Sequence, residues 1–203
     1  VESRGLGDVY KRQELLEEIN NRIKNTLSEK RYFHSVCTMN RMEILAKIYN
    51  VDVEKAKLVG IIHDIAKEMT AKEALEYVKK YNLKIDEIEE KCPRLLHAKI
   101  GAHMAKVEYN FIDEMCTAIA VHTTAKANMS IMDKILFMAD STGEDRKWPD
   151  VPYVRELAEK DIDAAILYML DLNIKDMINA KELIHPDSIL ARNFLIESKN
   201  TSR

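Results

Sequence analysis

Apolar residues recur at helical spacing along nearly all of this 203-residue chain, and this periodicity limits the fold more than any other feature. The first apolar face consists of Leu15, Leu16, Ile19, Ile23 and Leu27. No segment alternates between apolar and polar residues for long enough to predict a β-strand. With only 5 glycines and 4 prolines, the chain also has few signals for the many turns that a sheet needs. The sequence therefore predicts an all-α fold.

Start and stop signals divide the periodic region into a single bundle of helices. Asp52 is a good N-cap, and Thr70 with Glu73 forms a capping-box pattern. Helices are predicted over 15–27, 28–49, 54–69, 71–81, 95–109, 114–122, 151–159, 162–181 and 186–196, with another that begins at 130. Positions 14–198 are expected to form one domain. Positions 1–13 have two glycines and no periodic apolar face, and we predict a disordered or non-native tail there.

Charge and composition exclude several classes of partner. The net charge of -3 gives no general attraction for nucleic acid or for an anionic membrane. No apolar run approaches a membrane span and no signal peptide is recognisable, so a cytoplasmic protein is expected. The three cysteines lack CxxC spacing and are interpreted as reduced thiols: Cys37, Cys92 and Cys116. The ten methionines are core filler or part of an exposed face that forms a homodimer.

A histidine and an aspartate lie side by side in the otherwise apolar run VGIIHDIAK, from 59 to 67. Helical spacing puts His63 on one stripe with Ala56, Val59 and Ala66. The ring is therefore predicted to face the core, where it needs a polar partner. An imidazole nitrogen and a carboxylate oxygen of Asp64 that converge on one point suit a divalent metal. A buried histidine satisfied by its neighbouring carboxylate is the commoner arrangement and stays open at this point.

Ligand-type residues recur on the inward stripes of other predicted helices. The complete set is His34, His63, Asp64, His97, His122 and Asp140. Each has a simpler explanation when it is taken singly. His97 could cap a helix, His122 could end one, and Asp140 could pair with an arginine such as Arg146. Six such residues on buried faces of five helices need partners from one another, and a shared metal centre would supply them.

The order of four of these residues resembles the H…HD…D signature of HD-domain metal-dependent phosphohydrolases: His34, His63, Asp64 and Asp140. Within that superfamily, further segments between about 28 and 195 resemble the YqeK family. They are RYFHS at 31–35, GIIHDIAK at 60–67, LLHA at 95–98, HTT at 122–124, DKI at 133–135, AD at 139–140, IHPD at 184–187 and ARN at 191–193. The resemblance implies a single HD-domain helical bundle around a metal site.

YqeK proteins hydrolyse diadenosine tetraphosphate symmetrically, so the resemblance implies a bis(5'-nucleosyl)-tetraphosphatase that releases two ADP. The first metal would be held by His34, His63, Asp64 and Asp140. Asp64 would bridge to a second metal on His97 and His122. Two divalent transition metals are implied, iron foremost, with manganese, cobalt or zinc as alternatives, because imidazole ligands disfavour magnesium. Such a pair binds a bridging water or hydroxide and clamps the phosphoryl oxygens around an in-line attack.

Cationic and hydroxyl side chains near the ligands are predicted to bind the phosphates of this substrate. Lys67 follows Asp64 by three residues, and these two are the expected catalytic residues. A solvated surface lysine is the alternative interpretation of Lys67. The other predicted substrate contacts are Arg31, Thr123, Thr124, Lys126 and Arg146. His185 is expected to be a helix N-terminal or packing residue, and His103 a surface residue.

One segment departs from the family pattern. After the metal-binding aspartate, the YqeK family commonly has a Tyr-Ile-Glu-Pro run that leads to an arginine, whereas this chain has STGEDR at 141–146. Arg146 keeps its place, but the glutamate is displaced by one residue or missing. No role can therefore be transferred from that glutamate, while the metal ligands are unaffected.

Three other functions stay open. An HD-type nucleotidase or triphosphohydrolase would act on a nucleoside mono- or triphosphate, although a mononuclear site with four ligands would not need His97 and His122. A metal-stabilised module that senses nucleotides would bind them without turnover. A purely structural helical bundle is the third alternative, and it predicts no bound metal.

Overall fold

Helices are the only regular elements in the part of the chain that the computed structural model describes, which is residues 2–201 for the backbone and 11–201 for the side chains. They are α1 (Glu2–Thr26), α2 (Glu29–Ile48), α3 (Val53–Ile62), α4 (Ala71–Tyr81), α5 (Glu87–Lys91), α6 (Leu96–Tyr109), α7 (Asp113–Val121), α8 (Ile131–Thr142), α9 (Val151–Lys160), α10 (Ile162–Ala180) and α11 (Pro186–Thr201). A short 3₁₀ helix, Pro93–Leu95, leads into α6. The predicted all-α fold is confirmed.

Three helices form the centre of the fold, with α2 packed against both α3 and α8. Fully buried apolar side chains fill the space between them, among them Met42, Leu45, Ile61, Ile62 and Leu136. Helix α7 packs on α6 and α8, while α9 and α10 pack on each other and on α8. Burial of this apolar surface is the main favourable contribution to folding. The same packing holds α2, α7 and α8 against α3.

Helices α2 and α3 approach each other closely at Gly60. A Cβ atom at this position would lie 2.8 Å from Met39 Cα and 3.1 Å from Met39 N, closer than side chains normally come to a backbone. The absence of a side chain at position 60 therefore lets the two backbones pass side by side. The same crossing places the ring of His34 in α2 beside that of His63, with the ring centroids 5.3 Å apart.

Helix α3 ends at Ile62, not at position 69 as the periodicity predicts. Its Gly60 carbonyl accepts a hydrogen bond from the His63 ring. Beyond the helix, backbone N–H groups bond to carbonyls three residues back, as between Lys67 and Asp64 at 2.8 Å. Such turns keep apolar side chains on one side, so spacing alone does not distinguish them from an α-helix. The predicted stripe is buried as expected: Ala56, Val59, His63 and Ala66.

Helix α1 begins at Glu2, whereas the periodicity predicts a first helix only from position 15. No proline interrupts this part of the sequence, so helical backbone can continue there without an apolar face. Arg12 Nη1 lies 2.9 Å from a carboxylate oxygen of Asp52. Asp52 also caps α3, as predicted, by accepting a hydrogen bond from the Lys55 backbone. The domain boundary at position 14 stays a prediction.

Two further predictions concern the membrane and the cysteines. Within the described residues, no helix combines the length and the apolar character that a membrane crossing requires. The three cysteines are unpaired, with Cys37 buried and the other two partly buried. None of them joins a cluster of metal-ligating groups within the described residues.

Substitution Gly60→Ala tests the close crossing of α2 and α3. The added Cβ would meet the Met39 backbone, which cannot move aside as a side chain can, so we expect the free energy of unfolding to fall by about 1–3 kcal/mol. Gly101→Ala is the control, because its nearest contact would be the His63 carbonyl oxygen at 3.3 Å. There the gain in helix propensity, about 0.5–1 kcal/mol, should offset most of the strain. Urea unfolding measures both variants, and equal losses would contradict the steric explanation.

Candidate metal centre

The six predicted ligands come together where several helices begin or end. They are His34 in α2, His63 and Asp64 directly after α3, His97 in the first turn of α6, His122 directly after α7, and Asp140 in α8. Their ligand atoms form three overlapping groups, and within each group all of these atoms lie within 4.8 Å of one another. Five of the residues are buried, whereas the Asp140 side chain is 22% exposed. The sequence-predicted constellation is therefore present as one cluster.

The carboxylate of Asp64 lies at the centre of this cluster, and its two oxygens face different histidines. Oδ1 lies 3.3 Å from His97 Nε2 and 3.5 Å from His122 Nε2. Oδ2 lies 3.7 Å from His63 Nε2 and 4.0 Å from His34 Nε2. One carboxylate thus divides the imidazole nitrogens into two sets. This is the arrangement of a carboxylate that can bridge two cations.

Three of the four histidines are oriented in the same way. Their Nδ1 atoms donate hydrogen bonds to the carbonyl of the third residue before them: His63 to Gly60 at 2.8 Å, His97 to Arg94 at 2.6 Å and His122 to Ile119 at 2.7 Å. The Gly60 and Ile119 carbonyls are available because they lie in the last turns of α3 and α7, where carbonyls lack a partner four residues ahead in the helix, whereas Arg94 lies in the 3₁₀ helix before α6. The bond fixes the tautomer of each ring, so Nε2 carries a lone pair that points into the cluster.

These lone pairs face one another without enough donors between them. His97 Nε2 and His122 Nε2 lie 3.2 Å apart, although both rings already use Nδ1 as the donor. The buried atoms His63 Nε2 and Asp64 Oδ1 have no hydrogen-bond partner within the described part of the chain. Buried acceptors without a donor are costly, and a cation at their common point removes that cost. The donor set of imidazole nitrogens and carboxylates fits a divalent metal ion.

The protonation states also suit a metal site. Burial foremost lowers the pKa of His63 to about 4 and also lowers the pKa of His97, so both rings are neutral at physiological pH. Burial alone would raise the pKa of Asp64, but the surrounding histidines hold it well below its ordinary value. Burial alone would also raise the pKa of Asp140, but the hydrogen bond with His34 and the nearby charges of His63, Arg146 and His122 together lower it. Neutral imidazoles and ionised carboxylates are the forms that bind metals.

His34 is held by carboxylates on both sides of its ring. Nε2 lies 2.9 Å from Asp140 Oδ1, and Nδ1 lies 2.8 Å from Asp145 Oδ2. Burial opposes the protonated ring, yet these carboxylates raise its pKa above the ordinary value. Arg146 approaches the same oxygen of Asp140 at 2.5 Å, so the predicted pairing of Asp140 with Arg146 is also present. Asp145 was not among the predicted site residues.

Two cavities open beside the centre and share Arg31. The first has a volume of about 660 Å³ and is lined by Arg31, Ala66, Lys67, Met69, Ala71, Ala74, Lys91, Cys92, Pro93, Arg94 and His97. The second has a volume of about 580 Å³ and is lined by Lys30, Arg31, Phe33, His34, Glu144, Asp145, Arg146 and Lys147. Arg31 Nη1 lies 3.6 Å from Asp64 Oδ2, directly beside the central carboxylate. Both cavities present cations, which suits a phosphorylated ligand.

Four of the six predicted substrate contacts lie at the centre or in these cavities: Arg31, Lys67, Thr123 and Arg146. Lys67 Nζ lies 3.0 Å from His97 Nε2, and Thr123 Oγ1 lies 3.4 Å from the same nitrogen. The other two side chains make local contacts. The Thr124 hydroxyl donates to the Ala125 carbonyl, and Lys126 Nζ lies 3.7 Å from Asp133. Lys91 and Arg94 were missed, because they follow a segment without clear helical periodicity.

The two remaining histidines lie outside the centre. His185 Nε2 lies 2.7 Å from Asp86 Oδ2, which joins the start of α11 to the N-cap of α5 as a packing contact. Asp86, Glu89 and His185 form a further group with the spacing of metal ligands. Hydrogen bonds already satisfy it, since Glu89 accepts from Lys99 at 2.5 Å and from the Asp86 backbone. His103, predicted to be a surface residue, is partly buried, and its ring contacts the Tyr77 hydroxyl.

Comparison with known proteins agrees with this site. The family model of the HD domain matches residues 31–145. A symmetrical bis(5'-nucleosyl)-tetraphosphatase from Halalkalibacterium halodurans is 35% identical over 179 residues, which cover 87% of this chain and 95% of that protein. An enzyme of the same name from Bacillus subtilis is 30% identical over 175 residues, which cover 86% and 94%.

A solved structure gives the same result for the fold. It is a Clostridium acetobutylicum protein described as a predicted HD superfamily hydrolase involved in NAD metabolism. The TM-score is 0.87 at 33% identity, and the match covers 90% of this chain and 97% of that one. The chain therefore belongs to the HD-domain family, and within it to the YqeK group that contains these symmetrical bis(5'-nucleosyl)-tetraphosphatases.

Proposed function

We propose that this chain is a metal-dependent hydrolase that cleaves diadenosine tetraphosphate symmetrically into two ADP. The observation that carries the proposal is the position of Asp64, whose two oxygens face two sets of histidine nitrogens between two cation-lined cavities. Two relatives whose matches cover 87% and 86% of this chain are named symmetrical bis(5'-nucleosyl)-tetraphosphatases. Incubation with the dinucleotide and separation of the products tests it. ADP as the sole nucleotide product is expected, and an equal mixture of AMP and ATP would contradict symmetrical cleavage.

The proposed centre holds two divalent metals. One site would consist of His34, His63, Asp64 and Asp140, and the other of Asp64, His97 and His122. Support comes from the Asp64 carboxylate, because its oxygens Oδ2 and Oδ1 lie toward these two sets separately. The chemistry that such a centre supplies is activation of a water nucleophile and neutralisation of phosphate charge. Four imidazole ligands favour iron, manganese, cobalt or zinc over magnesium, and we propose iron as the native metal.

The two cavities suit a substrate with two equivalent halves. They have similar volumes, about 660 and 580 Å³, and they meet at Arg31 beside the central carboxylate. A phosphate chain that crosses the centre would extend a nucleoside toward each side, with Arg31 in reach of the chain. A nucleotidase would need only one such space, so the pair of cavities favours the dinucleotide. The cations on both sides would bind the outer parts of the phosphate chain.

Lys67 is the side chain best placed to act on the substrate directly. Its ammonium group lies 3.6 Å from Asp64 Oδ1 and 3.0 Å from His97 Nε2, at the border between the centre and the larger cavity. From there it can bind a phosphate oxygen and stabilise the charge that develops on the leaving ADP. The leaving group is itself a phosphate, so charge stabilisation matters more than protonation.

We also propose a cytoplasmic location, which is supported by three unpaired cysteines in the chain. The composition gives no reason to expect nucleic acid or membrane lipid as a partner, since the net charge is -3. Association into a homodimer stays a prediction.

Substitution His122→Gln tests the second metal site. Loss of its imidazole should reduce the bound metal from about two ions per chain to about one, while the other ligand set remains intact. His103→Gln is the control, because this ring lies outside the cluster and contacts Tyr77. Elemental analysis after reconstitution with ferrous iron and dialysis gives the result. Two ions retained in His122→Gln would contradict the proposed ligand set.

Substitution Lys67→Met separates an enzyme from a nucleotide sensor. In a hydrolase, kcat for diadenosine tetraphosphate should fall by about 10²–10³-fold, because a preorganised charge next to the leaving group is lost. Metal content should be unchanged. Lys72→Met serves as the control, since the Lys72 side chain is 84% exposed and lies in α4, away from the centre. Steady-state kinetics and elemental analysis are measured together. Unchanged kcat with a raised KM would assign Lys67 to ground-state binding only.

A further inference from the structure

His34 has a different orienting partner from the other three histidines of the centre. Those three lie at helix ends and donate Nδ1 to a backbone carbonyl. His34 lies inside α2, where the preceding carbonyls accept the hydrogen bonds of the helix itself. Its Nδ1 instead donates to Asp145 Oδ2 at 2.8 Å. A side-chain acceptor is therefore needed at this position, and the loop after α8 supplies it.

The carboxylate that reaches His34 belongs to Asp145 and not to its neighbour Glu144. Glu144 is exposed, whereas the Asp145 side chain is only 17% exposed and lies against the 5% exposed ring of His34. Arg155 holds the loop in place by donating to the carbonyls of Thr142 and Gly143, at 2.7 and 2.5 Å. The position of the carboxylate is thus set by an anchored backbone.

Gly143 makes the space that this carboxylate occupies. A Cβ atom at position 143 would lie 2.8 Å from Asp145 Oδ1, 3.4 Å from Cys37 Cβ and 3.5 Å from the Ala139 carbonyl oxygen. The backbone at Gly143 has φ of -55° and ψ of 162°, which any residue can adopt. The backbone conformation would therefore tolerate a side chain at position 143, but that side chain would conflict with the Asp145 carboxylate. A side chain at 143 and the carboxylate of Asp145 compete for one volume.

We infer that Asp145 is a positioning residue for His34 and that Gly143 and Asp145 form a coupled pair, in which only one of the two positions can supply the acceptor. In this chain the carboxylate that accepts the hydrogen bond of His34 comes from Asp145, and Gly143 has no side chain to compete with it. The inference rests on the proposed metal centre, because Asp145 acts on the metal only through His34.

The expected effect of Asp145 is on metal affinity. A carboxylate that accepts the Nδ1 proton fixes the tautomer, aims the Nε2 lone pair at the centre and makes the ring a stronger donor. Loss of such a partner commonly weakens metal binding by about 10–100-fold. Asp145 does not contact the other three histidines, so the second ligand set, around His97 and His122, should be affected less.

A double-substitution cycle tests the coupling: Asp145→Gly, Gly143→Glu and the two combined. Asp145→Gly should weaken binding of one Co²⁺ ion by about 10–100-fold, because the acceptor is lost. Gly143→Glu alone should also weaken binding, since its side chain displaces the Asp145 carboxylate. The combined variant should recover most of the affinity, because one carboxylate again fills one space. Glu144→Gly is the control and should bind Co²⁺ as the unsubstituted protein does.

Competition with a chelator, followed by the Co²⁺ absorption spectrum, gives the affinities without any need for turnover. The coupling would be overturned if the combined variant lost as much Co²⁺ binding free energy as the two single variants lose in sum. Full affinity in Asp145→Gly would overturn the positioning role. If Asp145→Gly does not fold, Asp145→Asn decides the question, with a severalfold loss expected and no loss contradicting the inference. Tight Co²⁺ binding without cleavage of the dinucleotide would contradict the proposed function but not the role of Asp145. Absence of Co²⁺ binding would contradict both the proposed function and the role of Asp145.

Discussion

The structure depends on one buried carboxylate, Asp64, and on the acceptors that crowd around it. Four imidazole nitrogens lie within 4.0 Å of its oxygens, and the nearest cationic atoms, from Arg31 and Lys67, lie 3.6 Å away. A buried charge with so few donors destabilises a folded protein unless a further cation is present. The apolar contacts of α2, α3 and α8 hold these groups together against that cost. Folding of the bundle and binding of metal are therefore coupled, and metal should stabilise the native state.

The ends of the helices connect the fold to the chemistry. If α3 continued to position 69, the Gly60 carbonyl would accept a bond from the Asp64 backbone and would not be available to the His63 ring. Because α3 and α7 end at the centre, their last carbonyls orient His63 and His122 without further side chains. Of the four histidines, His34 alone lies beyond the first turn of a helix and before its end, and it alone has a carboxylate as its orienting partner. Secondary structure thus decides which kind of second partner each ligand needs.

The sequence predicts every α-helix of the described residues except α5, and it predicts that the six ligand-type residues cluster, because both depend on local spacing and on a recognisable motif. It does not predict where α3 ends, since turns with bonds to the third preceding residue keep the same apolar stripe. Nor does it predict Asp145, whose contact with His34 joins residues 111 apart in the chain. Thr124 and Lys126 follow a ligand in sequence, but their side chains contact Ala125 and Asp133. Proximity in sequence is a weak guide to substrate contacts in loops.

The segment 141–146, which departs from the family pattern, still supplies a carboxylate to His34, and this carboxylate belongs to Asp145. An imidazole inside α2 needs an acceptor at Nδ1, and this need is met by any carboxylate that reaches the same point. Anchoring of the loop by Arg155 and the lack of a side chain at Gly143 allow Asp145 to reach it. Asp145 also lines the cavity that contains Phe33 and Arg146. A change in the loop therefore alters the wall of one of the two cavities while the six clustered residues stay in place.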